Sequence, residues 1–136
     1  MAKNGSEYLK RKAGEEPMAE EGKFEVKATK SPSKPGVMLI SIAGEIDTEC
    51  VTAISAVLGK QMKVGRRKFV IELSKITAIT SKGLKALREA LTRVKDKGCQ
   101  LACTGARGDI WQAIDAFGLD DVAPCYPDVK DAIDAL

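Results

Sequence analysis

The chain contains no histidine. That absence removes the usual general base near neutral pH and the commonest metal ligand, and it excludes any Ser-His or Cys-His nucleophile pair. Phosphate-cradling loops are missing as well. No P-loop and no G-x-G-x-x-G follows a strand-like run, and Gly105-Ala106-Arg107-Gly108 is too sparse to serve as one. Carboxylate pairs are confined to patterns such as Asp120-Asp121, which reads as a surface turn. With no nucleophile and base to pair, an enzyme is not expected, and no cofactor is implied.

Long apolar runs are also lacking. Nothing approaches the ~20 residues needed to cross a bilayer, and Met1 is followed by Ala2-Lys3-Asn4-Gly5 rather than by an apolar signal region. A soluble, cytoplasmic protein with no membrane insertion is expected. Cys50, Cys99, Cys103 and Cys125 fit that compartment as buried thiols among apolar neighbours. They do not resemble a zinc site, because there is no C-x2-C pair and Cys99 and Cys103 share one strand face.

What is present is a single domain's worth of apolar periodicity behind a polar arm. At 136 residues the chain suffices for one core. Residues 1–22 hold Lys10-Arg11-Lys12, Glu15-Glu16-Pro17 and Glu20-Glu21-Gly22 with almost no apolar content, so they are expected to form a flexible N-terminal arm, with the domain at 23–136. Net charge is only +3, which gives no polyelectrolyte argument for nucleic acid or for a membrane surface. Its distribution is bipolar, basic between Lys60 and Lys97 and acidic between Asp109 and Asp134, as expected of solvated helix faces.

Phe24, Val26 and Ala28 alternate with charged and polar residues, which predicts an edge strand. Pro32 and Pro35 mark a turn, and Val37 to Ala43 follows as a more uniformly apolar strand that Gly44 is expected to end. A helix capped by Asp47 or Thr48 carries Val51, Ile54, Val57, Leu58 and Met62 on its inner stripe. Residues 68–73 read as a strand, residues 81–97 as an amphipathic helix with Leu84, Leu87, Leu91 and Val94, and Cys99 to Thr104 as an interior strand. Ile110, Trp111, Ile114 and Phe117 mark a third helix ending at Gly118. Val122 to Tyr126 is a short edge strand, and Asp128 caps a last helix bearing Val129, Ala132, Ile133 and Leu136. The fold class is therefore α/β, a mixed sheet of four to five strands with about four helices packed against it.

The most informative stretch runs from Ser74 to Leu84, where a strand gives way to a helix whose first residues are Thr80 and Ser81. Backbone N–H groups are unpaired there and the helix dipole is positive, so a hydroxyl can cap the helix and a phosphate is electrostatically welcome.

Three pieces together resemble the STAS domain of the bacterial anti-sigma-factor antagonist type. They are Gly44-Glu45-Ile46-Asp47 after the second strand, the turn Thr80-Ser81-Lys82-Gly83-Leu84, and the Phe117-Gly118-Leu119 ending of the third helix. The resemblance covers about residues 24–136. In that family the turn usually reads aspartate-serine-serine-glycine-leucine, and its first serine is phosphorylated by a partner anti-sigma factor that is also a serine kinase. The resemblance thus implies phosphorylation at Ser81, partner binding through the turn with Thr80, Ser81 and Gly83 and through nearby Asp47, and a serine phosphatase acting on phospho-Ser81. By charge, Lys82 and Lys85 one helical turn on join these contacts, as cations that would stabilise a phosphoserine or attract an anionic partner. Two positions depart from the family pattern, Thr80 for the aspartate and Lys82 for the second serine. They fit a second expectation, a STAS scaffolding or regulatory subunit of a stress-signalling or transporter-associated complex that is not phosphorylated.

Overall fold

A computed structural model describes residues 24–136. The arm expected at 1–22 lies outside the described residues.

The strands are β1 (Phe24–Lys30), β2 (Val37–Ile46), β3 (Lys68–Ile79), β4 (Gln100–Thr104) and β5 (Cys125–Tyr126), and they lie in that order across one sheet. β1 is antiparallel to β2, as a short proline-containing turn requires. The other neighbours are parallel and reached by helical crossovers. The helices are α1 (Thr48–Lys63), α2 (Ser81–Asp96), α3 (Gly108–Ala116), α4 (Leu119–Val122) and α5 (Val129–Asp134).

Side-chain alternation divides the core into two layers. Met38, Ile40, Ile42, Phe69, Ile71, Leu73, Leu101 and Cys103 point to one face, where α1 contributes Ile54 and Leu58 and α2 contributes Leu84, Leu87, Leu91 and Val94. Val37, Val70 and Ala102 point to the other, against Ala132 and Ile133 of α5. β3 is therefore apolar on both faces through Phe69, Val70 and Ile71, as a parallel strand covered on both sides should be. Each large side chain withdrawn from water in this way contributes roughly 1.5–3 kcal/mol.

Several expected boundaries move. β2 does not end at Gly44 but runs to Ile46, and β3 runs to Ile79 rather than stopping near residue 73. The two extensions pair with each other, Gly44 with Ile76, Glu45 with Ala78 and Ile46 with Ile79, across register shifts that interrupt the alternation. Gly44 sits at φ +97°, a conformation that carries the strand through its own irregularity instead of ending it. The Asp120-Asp121 pair lies in the four-residue α4 rather than in a turn, which makes five helices where about four were expected. On α3 the inner positions are Ile110, Ala113 and Ile114, whereas Trp111 and Phe117 are 37% and 40% exposed. Cys125 is half-buried, unlike the other three cysteines.

Candidate functional site

The paired extensions of β2 and β3 bring two helix starts to the same end of the sheet. Asp47 follows β2 and caps α1, its Oδ1 accepting from Cys50 N at 2.9 Å. Thr80 follows β3 and caps α2, its Oγ1 accepting from Gly83 N at 2.9 Å. The Thr80 backbone N–H donates to Ile46 O at 2.9 Å, and its hydroxyl reaches the same oxygen at 3.4 Å. One threonine thus closes the helix and ties it to the neighbouring strand end.

This settles which hydroxyl caps the second helix. Thr80 has the extended backbone of an N-cap, φ −88° and ψ 157°, and Ser81 is the first helical residue. Ser81 is exposed. Its hydroxyl stands at the positive end of a sixteen-residue helix whose first turn carries no acid, with exposed Lys82 next in sequence and exposed Lys85 one turn on. An anion formed on Ser81 would meet favourable charge within its own helix.

Gly83 plays a different part. It is buried, and a Cβ built on it would lie 2.5 Å from Ile46 O and 2.7 Å from Asp47 Cα. The missing side chain is what lets α2 sit directly on the end of β2, so Asp47, Thr80, Ser81 and Lys82 share one small area. The carboxylate of Asp47 also acts inward: burial first, and then this neighbouring negative charge, push the Cys50 thiol from its ordinary 9.0 up to about 12.

The backbone carbonyl of Ile46 is the one member of the site that the sequence reading did not single out. It emerges only from the pairing of two strand ends, which brings Thr80 to a residue 34 positions earlier. The same sheet end also holds a cavity of about 280 Å³ past β4 and β5, lined by Cys103, Thr104, Trp111, Cys125 and Tyr126 among others. Among the described residues no group of three or more His, Cys, Asp or Glu side chains could hold a metal ion, and no helix is long and apolar enough to cross a membrane.

Comparison with known proteins places this geometry. The family model for the STAS domain matches residues 28–132. No curated protein sequence matches the chain. The fold is similar to the crystal structure of an anti-sigma factor antagonist from Mycobacterium paratuberculosis, at 26% identity and a TM-score of 0.67, covering 88% of this chain and 96% of that one. It is also similar to the anti-sigma factor antagonist SpoIIAA in its unphosphorylated form, at 13% identity and a TM-score of 0.60, covering 81% of this chain and 96% of that one. Part of the murine anion transporter Slc26a9 shares the fold, at 14% identity and a TM-score of 0.63, covering 82% of this chain but 21% of the transporter.

Proposed function

This chain belongs to the STAS domain family, and from that premise we propose that it is an anti-sigma-factor antagonist working by partner switching in the cytoplasm. Unmodified, it binds an anti-sigma factor that is also a serine kinase and so releases a sigma factor; phosphorylated on Ser81, it lets that partner go. A serine phosphatase returns it to the binding state. The domain acts as a binding module rather than as a catalyst.

The observation that carries this reading is the division of labour between Thr80 and Ser81. Because Thr80 accepts from Gly83 N, the exposed Ser81 hydroxyl is not needed to start the helix and is open to a kinase. A phosphoserine adds roughly −1.5 to −2 charge at pH 7. At a helix N-terminus that charge is tolerated by the fold, so its effect falls on the partner surface that had matched a small neutral hydroxyl.

Lys82 favours the second reading, a scaffolding or regulatory STAS subunit without phosphorylation, because a cation beside the acceptor also suits a permanently anionic partner. One experiment separates the two: incubation with ATP and the cognate kinase, then mass spectrometry of the wild type and Ser81→Ala. Phosphate on Ser81 that disappears in the variant is the expected result. A wild type that binds its partner yet gains no phosphate assigns the chain to the scaffolding class.

A further inference from the structure

At the opposite end of the sheet, where β1 turns into β2, a cavity of about 190 Å³ is walled by Lys30, Ser31, Lys34, Gly36, Val37 and Arg66 among others. Among the described residues its lining includes three cationic residues, Lys30, Lys34 and Arg66, and no acidic one. Arg66 is half-buried, and its Nε is sealed from solvent with no hydrogen-bond partner among the described residues. A buried donor left without an acceptor bears the full cost of its desolvation, and more so when it belongs to a charged group.

The remaining polar groups have the same bias towards donation. Ser31 Oγ accepts from Ser33 N at 3.3 Å and from Lys34 N at 3.2 Å, which occupies its lone pairs and leaves its proton to give. Lys34 Nζ reaches only the Asp134 carbonyl oxygen, at a long 3.5 Å, while the Asp134 carboxylate is held by Lys130 at 3.2 Å. A cavity lined by one arginine, two lysines and a serine whose proton is left to give is complementary to a ligand that only accepts hydrogen bonds and carries negative charge.

We propose that this cavity is a binding site for a small tetrahedral oxyanion, phosphate or sulfate in size and charge. An oxyanion that accepts from Nε–H and a terminal N–H of Arg66 would supply the acceptor that Nε lacks. The site is separate from Ser81. β2 and β3 are ten and twelve residues long, so about 30 Å of strand at ~3.3 Å per residue lies between the two ends of the sheet. It therefore stands whether or not Ser81 is a phosphorylation site.

The test is a titration of the full-length, isotope-labelled chain with inorganic phosphate in 150 mM sodium chloride, followed by amide chemical shifts, with glycerol phosphate as a second arm. Saturable shifts confined to residues 31–37 and Arg66 are expected, with no response to an equal rise in sodium chloride. Arg66→Gln should weaken binding by about tenfold to a hundredfold, the usual worth of a hydrogen bond to a charged group. If Arg66→Gln does not fold, the double variant Lys30→Gln/Lys34→Gln serves, and it should weaken binding in the same direction. Tighter binding of phosphate marks a free-ion site, and tighter binding of glycerol phosphate marks a phosphoester site; both support the oxyanion chemistry. Shifts linear in concentration, reproduced by chloride, or unchanged in the variant that folds would overturn it.

Discussion

Gly83 lies against the carbonyl oxygen of Ile46 so closely that a Cβ on the glycine would stand 2.5 Å away. The obstacle is backbone on both sides, so neither element can yield by rotating a side chain. The Gly83→Ala variant should lose about 1–3 kcal/mol to overpacking, which outweighs the ~1 kcal/mol that alanine gains over glycine inside a helix. Urea unfolding of the two proteins measures it. A variant as stable as the wild type would mean that α2 can lift off β2 at little cost.

Thr80 should be hard to replace by anything without a hydroxyl. Thr80→Ala removes the acceptor for Gly83 N and the second link to Ile46 O. Ser81, already one position inside the helix, cannot take over. The expected loss is about 0.5–2 kcal/mol, and Thr80→Ser should restore most of it. Thermal unfolding of the three proteins gives the order, and an alanine variant at wild-type stability would remove Thr80 from its capping role.

Ser81 tests the charge switch directly. Ser81→Asp places a carboxylate at the dipole's positive end, so stability should stay level or rise by about 0.3–1 kcal/mol. Partner affinity should nonetheless fall at least about tenfold, because the new charge meets a surface matched to a small neutral hydroxyl. Ser81→Ala should keep the partner. Calorimetric titration with the kinase partner compares them, and equal affinity for both variants would speak against a switch based on charge.

Cys50 should make the fold sensitive to alkali. Its thiol is raised to about 12 in the folded protein, from an ordinary value of 9.0 that the unfolded chain recovers. The folded state thus keeps a proton that the unfolded state gives up. The stability linked to this group is complete below pH 9 and is lost as pH climbs from 9 towards 12. The neighbouring Cys125 thiol and then burial raise Cys103, and burial raises Cys99, which adds to the same trend. Chemical unfolding between pH 8 and 11 should show the decline, with a shallower slope in Cys50→Ala. In alkylation with iodoacetamide at pH 8, half-buried Cys125 should react first and Cys50 should not react in the folded protein.

Much of this architecture could be read from periodicity alone. The stripe of Leu84, Leu87, Leu91 and Val94 and the alternation of β1 each state one element's inner face; the helical stripe is buried and the β1 face is half-buried against the same core. What the sequence did not disclose was set by contacts far apart along the chain. Ser74 and Lys75 are exposed and break the apolar alternation of β3, so its last residues read as a turn. They form strand only because Ile76, Ala78 and Ile79 pair with the end of β2. The same gap left open whether Thr80 or Ser81 capped α2. The answer depends on where β3 ends, and that end is fixed by Ile46, not by either hydroxyl. Trp111 shows the converse: helical spacing placed it on α3, but spacing does not record that Ile114, one turn on, is the residue that faces the core.

The Thr80 clamp carries a consequence for how information leaves this molecule. With its amide fixed to Ile46 O and its hydroxyl fixed to Gly83 N, the start of α2 has no slack to reshape when its neighbour changes. Under the switching mechanism proposed above, the on and off forms would share one silhouette and differ only in the sign written on a single exposed residue. Small-angle scattering and circular dichroism would return the same curve for both. The reading of the message would then belong wholly to whichever protein docks against it.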